Sequence, residues 1–121
     1  LDPKWSEKHV VYTLTNYNIS LMTIGWAAEF KKAKIAANAL WPRTTIDTAA
    51  VRNLLGGAML ANMSRTVDIL ADAAYYILRQ PSTECTGNLF VDEQVLAREG
   101  ITDLSAYSVV PGAQLYTDLF V

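Results

Sequence analysis

The sequence has little cysteine and little histidine. Its 121 residues include one cysteine, Cys85, and one histidine, His9. A single cysteine excludes an internal disulfide and favours a reducing compartment. Because His9 and Cys85 are far apart, no metal-ligand spacing is present. We therefore expect no metal site and a surface position for His9.

The sequence also lacks a strong net charge and a long apolar run. Its formal charge of −2 gives no basic footprint for nucleic acid or for an anionic membrane. No apolar stretch approaches the ~20 residues that span a bilayer. The sequence starts at Leu1 without a methionine and resembles no signal peptide. We expect a soluble intracellular protein, cytoplasmic by default, whose sequence begins within a longer chain.

The most regular segment is a predicted helix over residues 7–32, with Ser6 as its candidate N-cap. Two stripes of apolar side chains at helical spacing predict a helix that is covered from two sides. The first stripe contains Val10, Leu14, Tyr17, Leu21, Ile24 and Ala28, and the second contains Ile19, Met22, Trp26 and Phe30. The basic residues Lys31, Lys32 and Lys34 follow, where positive charge suits a helix C-terminus.

Two short apolar runs, over 35–41 and 87–92, predict strands that are buried on both faces. Helical patterns cover 48–55, 67–79 and 93–99. Two buried strands joined by a helical connection imply a parallel α/β sheet. A parallel sheet of two strands leaves its apolar faces half covered, so the sequence looks like half of a domain.

Tyr12 and Asn16 are spaced to share one face of the first helix. The helix continues to Glu29-Phe30, and the run from Ile35 to Pro42 follows. This order resembles the C-terminal half of the short-chain dehydrogenase/reductase family, where a Tyr-x-x-x-Lys helix precedes a strand of the type Ile-x-Val-Asn-x-Leu-x-Pro. Residues 39–44, 48–50, 86–88 and 91–93 are similar to the hydroxysteroid-dehydrogenase-like subgroup. The resemblance covers essentially the whole sequence.

The resemblance implies an α/β fold, the second half of a Rossmann-like doubly wound parallel sheet. Residues 1–121 would then form part of one dehydrogenase domain, with the catalytic helix, the last two strands and the substrate-lid helices. The glycine-rich turn that holds a nucleotide pyrophosphate in such folds is absent from this sequence. Gly56-Gly57 follows a predicted helix and is interpreted as a helix stop. The choice between NAD and NADP would depend on the missing half.

The resemblance also assigns roles to individual residues. Tyr12 corresponds to the catalytic proton donor or acceptor, and Asn16 stands where the family has a lysine that contacts the nicotinamide ribose. A loop lines the nicotinamide of NAD or NADP, and its residues here are Pro42, Arg43, Thr44 and Thr45. For Arg43, an ordinary solvated loop position is an equally weighted interpretation. A lysine charge at roughly 5 Å and a dielectric of about 20 is worth ~3 kcal/mol, or about two pK units on the tyrosine. Neutral Asn16 can bond a ribose hydroxyl but does not supply this field.

Two hypotheses about function follow. The first is an NAD(P)-dependent oxidoreductase that moves a hydride between a carbonyl or alcohol substrate and the cofactor, impaired by Asn16. It would assemble as a homo-oligomer through the helix over 7–32, in the manner of the family. The second is a catalytically inactive dehydrogenase relic that acts as a binding or interaction module, and the missing lysine favours it. The peroxisome and the mitochondrion, where relatives of the subgroup occur, stay open as compartments beside the cytoplasm.

Overall fold

The structure, a computed structural model, describes residues 3, 7 and 9–118. Over these residues the order of elements is α1 (Val10–Glu29), β1 (Ala39–Trp41), α2 (Gly57–Asn62), α3 (Asp68–Leu78), β2 (Leu89–Val91) and α4 (Asp92–Arg98). Short 3-10 turns cover Lys31–Ala33 and Ser105–Tyr107, and Val51–Leu55 forms a π-helical turn. The predicted α/β class is confirmed, with each predicted helix present and both strands shorter than predicted. The predicted N-cap, Ser6, lies outside the described residues.

Strands β1 and β2 pair in a two-stranded parallel sheet, as predicted. The N–H of Ala39 donates to the carbonyl of Asn88 at 2.9 Å, and the N–H of Gly87 donates to the carbonyl of Ala37 at 2.8 Å. The first strand is shorter than predicted because the N–H of Ala37 donates to the Thr86 hydroxyl at 3.1 Å instead of to a neighbouring strand.

The side chain of Asn38 joins the two chain segments that lead into the strands. Its Nδ2 donates to the carbonyl of Cys85 at 2.8 Å. Its Oδ1 accepts from the backbone N–H of Asn88 at 3.1 Å and from the Asn88 side chain at 2.9 Å. One amide side chain therefore satisfies three groups that the strand ladder leaves without partners.

The long helix α1 buries a different face from the one that its apolar pattern predicts. Its buried residues are Thr13, Ser20, Thr23 and Ala27. Seven large apolar side chains of the two predicted stripes are 44–66% exposed, namely Val10, Leu14, Ile19, Leu21, Met22, Ile24 and Trp26, whereas Tyr17 and Phe30 are half-buried. Small side chains bring the helix backbone close to its neighbours. The large ones extend away from this chain, so the predicted cover on two sides is not provided by these residues.

Contacts divide the chain into two compact units. The first contains residues up to 39 together with 80–90, and the second contains 40–79 together with the chain from 91. The core of the second unit is formed where α3 packs on α4, and Ile69 and Leu96 there are fully buried. None of the helices in the described parts of the chain has the length and apolar character that crossing a bilayer requires.

Gly87 gives a direct test of the packing in the first unit. Its φ is +76°, a conformation that side chains disfavour, and an added Cβ would lie 3.4 Å from the Cβ of Ala27. We expect Gly87→Ala to lower the free energy of unfolding by about 1–2 kcal/mol. Gly25→Ala is the matched control, since Gly25 is inside α1 with nothing within 4 Å of its added Cβ. That change should stabilise by about 0.5–1 kcal/mol. Urea unfolding measures both, and equal effects would contradict this account.

Candidate active site

Tyr12 and Asn16 lie on one face of α1, as the spacing predicts. The Tyr12 side chain is 48% exposed, and Asn16 is half-buried. The Nδ2 of Asn16 donates to the backbone carbonyl of Tyr12 at 2.9 Å, and the Thr15 hydroxyl donates to the same carbonyl at 2.7 Å. The Asn16 side chain therefore folds back onto its own helix. It has neither the reach nor the charge of a lysine ammonium.

The loop after β1, residues 42–45, lies in the second unit. Both backbone groups of Arg43, its N–H and its carbonyl, make hydrogen bonds that hold the loop. The backbone N–H of Arg43 donates to Oδ1 of Asp92 at 2.9 Å. The carbonyl of Arg43 accepts from the N–H of Asp118 at 3.0 Å. Pro42 and Arg43 themselves are half-buried. The backbone of this loop is thus fixed by distant parts of the chain, while part of its surface stays accessible.

The two threonines of the loop differ in how their polar groups are used. Thr45 donates its N–H to Tyr116, accepts from the N–H of Arg65 and shares a 2.8 Å hydroxyl bond with Ser64. Thr44 is 5% exposed, and its hydroxyl has no hydrogen-bond partner within the described residues. A buried hydroxyl without a partner is costly and calls for an explanation. Thr44 therefore has a hydroxyl without a hydrogen bond, whereas Thr45 holds the loop in place through its hydrogen bonds.

Asp92 holds the backbone of the loop, a role that the sequence does not predict. It is fully buried, and its Oδ1 accepts from the N–H of Arg43 and from the N–H of Glu93 at 2.7 Å. Burial raises the pKa of this carboxyl against the opposing effect of the two backbone hydrogen bonds. Its Oδ2 has no partner within the described residues. The available signal was a carboxylate at the end of the second predicted strand. The prediction that this strand is buried on both faces is wrong, since Leu89 is exposed and Phe90 and Val91 are half-buried.

The neighbouring Glu93 connects two arginines of the second unit. Nη1 of Arg65, which is 7% exposed, donates to Oε1 of Glu93, and Nε of Arg43 lies 4.0 Å from Oε2. A single carboxylate therefore balances the buried guanidinium and faces the loop arginine. The Arg43 side chain is half-buried in this arrangement. In the described parts of the chain, no group of three or more His, Cys, Asp or Glu side chains is placed to hold a metal ion.

Comparison with known proteins agrees with the resemblance in the sequence. The chain is 46% identical to hydroxysteroid dehydrogenase-like protein 2 of Rattus norvegicus and 45% identical to that of Homo sapiens, over all 121 residues. The chain spans 22% and 28% of the length of these two proteins. A solved structure from Xanthomonas campestris matches this protein with a TM-score of 0.90 at 45% identity. The present chain covers 44% of the length of that structure's chain.

A short-chain dehydrogenase from Mycobacterium thermoresistibile matches with a TM-score of 0.85 at 48% identity, and the chain covers 42% of it. No protein-family model matches the chain. The predicted resemblance to the C-terminal half of a short-chain dehydrogenase is confirmed, and so is the partial Rossmann-like fold.

Proposed function

We propose that this chain, which resembles the C-terminal half of short-chain dehydrogenases over its whole length, is part of an NAD(P)-dependent oxidoreductase. The observation that carries the proposal is that Tyr12, which is exposed, and the half-buried residue 16 share one face of α1, within a chain 48% identical to a short-chain dehydrogenase. The nicotinamide supplies or accepts a hydride, and the partner is a carbonyl or alcohol substrate. Tyr12 gives or takes the proton at the substrate oxygen.

The same proposal includes slow turnover. A tyrosine hydroxyl with a pKa near ~10 is a poor base at neutral pH, and a nearby positive charge would make it a better one. Asn16 brings no charge, and its Nδ2 is already bonded to the Tyr12 carbonyl. Its Oδ1 and its second N–H suit a ribose hydroxyl, so Asn16 would bind the cofactor without activating the tyrosine.

The loop residues Pro42, Arg43, Thr44 and Thr45 would line the nicotinamide. The unused buried hydroxyl of Thr44 is the kind of group that a nicotinamide carboxamide requires, since the carboxamide both donates and accepts hydrogen bonds. Thr45 would contribute by fixing the loop, because its own polar groups are bonded within the second unit. The residues present therefore fit the cofactor.

A pair of valine variants tests this division of roles. Thr44→Val should weaken NADH or NADPH binding by roughly three- to tenfold and leave the unfolding free energy equal or higher, because the hydroxyl has no internal partner. Thr45→Val removes the bond to Ser64 and should instead lower stability by about 1 kcal/mol. Energy transfer from tryptophan to the reduced cofactor measures binding. Unchanged affinity in Thr44→Val would contradict the proposed contact.

The function as a whole is tested on the complete protein, including any sequence before Leu1 or after Val121. We expect saturable binding of NAD or NADP, and slow, cofactor-dependent reduction of a carbonyl substrate followed by absorbance at the nicotinamide band. Absence of nucleotide binding would overturn the proposal. Binding without any turnover would favour the second hypothesis, a relic that senses or binds a ligand.

We also propose that a second copy of the chain covers the apolar stripe that contains Ile19, Met22 and Trp26. These three side chains are 44–53% exposed. Exposed apolar patches of this kind usually mark interfaces. Met22→Glu should weaken the dimer by at least ~10-fold, since a charge would be buried without a partner. Ala28→Glu is the matched control, since Ala28 is an exposed position of the same helix on the side away from this stripe. Light scattering that gives equal masses for both variants would contradict the assembly.

A further inference from the structure

A cleft of about 220 Å³ lies in the first unit, where the chain leaves α1. Its walls are Lys31, Lys32, Lys34 and Ile35 on one side and Ser82, Thr83 and Thr86 on the other. The Ser82 hydroxyl donates to the carbonyl of Lys34 at 2.8 Å, and the Thr86 hydroxyl accepts from the N–H of Ala37. These two hydrogen bonds join the walls, so the cleft is a built feature of the unit. We call it the lysine cleft.

The lysine cleft concentrates positive charge in a chain whose formal net charge is −2. Three ammonium groups come from four successive positions, and none of them makes an ion pair within the described residues. By contrast, Arg52 and Arg65 each bond a carboxylate. Neighbouring like charges repel one another, and an anion between them would relieve that repulsion.

Hydrogen-bond donors face the same space as the charges. The Thr86 hydroxyl accepts from Ala37, which leaves its own hydrogen to donate, and Thr83 adds a second hydroxyl to the wall. The Ser82 hydrogen is already donated to the carbonyl of Lys34. The side chain of Ile35, 55% exposed, provides an apolar surface beside them. Ammonium groups together with hydroxyl donors are the groups that bind phosphate oxygens, and an apolar wall suits an attached organic group.

The backbone of Lys34 adds an independent observation. Its φ of 58° and ψ of 32° put it in the left-handed region, and it is the single non-glycine residue with positive φ in the described parts of the chain. Lysine is not one of the residues that commonly occupy this region, and such outliers are found preferentially at binding sites. The conformation places a lysine where a helix end would ordinarily have glycine.

From these observations we propose that the lysine cleft binds the phosphate group of a small soluble molecule. None of the residues proposed for hydride transfer lines the cleft, so this inference stands apart from the proposed function. The sequence predicts another role for the three lysines, as counter-charges to the helix C-terminus. Counter-charges to the helix C-terminus would stabilise the helix but would not bind phosphate. Measuring phosphate binding therefore separates the two roles.

The test is a titration of the complete protein with inorganic pyrophosphate, followed by the amide NMR shifts of residues 31–35 and 82–86. Saturable shifts confined to these segments are expected. Lys34→Gln should weaken binding by roughly two- to fivefold, and the triple variant of Lys31, Lys32 and Lys34 to glutamine by more than ~10-fold. Arg79→Gln, a cation of the second unit, is the charge-matched control and should bind as the parent does. Equal weakening in the control, or the absence of saturation, would overturn the proposal.

A second variant and a second probe separate a binding site from its alternatives. Lys34→Gly suits the left-handed backbone, so it should fold at least as stably as the parent while losing two- to fivefold in pyrophosphate affinity. Unchanged affinity in this variant would contradict the role of Lys34. Vesicles of phosphatidylcholine with phosphatidic acid form the other arm. Sedimentation with these vesicles, without binding of pyrophosphate, would overturn the proposal in favour of a membrane headgroup.

Discussion

Replacing Asn16 with lysine is expected to raise turnover by roughly 100-fold at neutral pH. The physical reason is electrostatic, because residue 16 lies one helical turn from Tyr12 on the same face and its charge would act on proton transfer at the Tyr12 hydroxyl. A positive charge at roughly 5 Å in a dielectric of about 20 stabilises a developing negative charge by ~3 kcal/mol, which corresponds to about two orders of magnitude in rate. The measurement is kcat and KM for the cofactor-dependent reaction of the complete protein.

Two controls isolate the charge. Asn16→Gln lengthens the side chain without adding a charge, and its rate should stay near that of the parent. Adding Tyr12→Phe to the lysine variant should lower the rate below the parent level, because no hydroxyl is left to transfer the proton. Equal rates for the lysine and glutamine variants would show that charge at residue 16 does not limit the proposed reaction.

Removing the carboxylate of Asp92 is expected to lower the free energy of unfolding by about 2–4 kcal/mol. Asp92→Ala leaves the buried N–H groups of Arg43 and Glu93 without their shared acceptor, and each unsatisfied group costs about 1–3 kcal/mol. The loop that carries Arg43 should also lose its position, so cofactor affinity should fall together with stability. Asp92→Asn is the matched control, since its Oδ1 can still accept both bonds. Denaturant unfolding that gives equal losses for alanine and asparagine would contradict the account.

The asparagine variant has a pH signature of its own. Burial raises the pKa of Asp92 above its ordinary value of 3.8. A raised folded-state pKa means that the unfolded protein releases this proton at lower pH than the folded protein does. The parent therefore loses stability as pH rises from the unfolded value through the raised folded value. Asp92→Asn lacks this loss, so its stability relative to the parent should increase over the same pH range.

Local patterns in the sequence predict most of the elements of this fold. Apolar periodicity predicts α1, and two bounded apolar runs predict the paired strands. The buried face of α1 is not predicted, because periodicity gives most weight to large apolar residues. The face that packs within this chain carries Thr13, Ser20 and Ala27. Their small side chains allow close packing of the helix. A hydrophobic pattern indicates which residues prefer burial but does not say which partner provides it.

The site is predictable to the extent that it depends on local spacing. The four-residue interval between Tyr12 and Asn16 is visible in the sequence, and so is the loop after β1. The different uses of Thr44 and Thr45 are not, because two adjacent threonines are alike until Ser64 and Tyr116 come near one of them. The role of Asp92 is hidden for the same reason, since it lies 49 residues from Arg43 in the chain. Long-range contacts decide these roles.

The side chain of Asn38 also has a consequence for how the chain folds. Its bond to the N–H of Asn88 joins residues 50 positions apart, with α2 and α3 between them. Closing so long a loop costs entropy that is recovered only when both ends meet, and non-local pairing of this kind is slow. On the ribosome, β1 emerges well before β2. During that interval the edge of β1 that pairs with β2 is open, and it is then most exposed to wrong pairing with another chain.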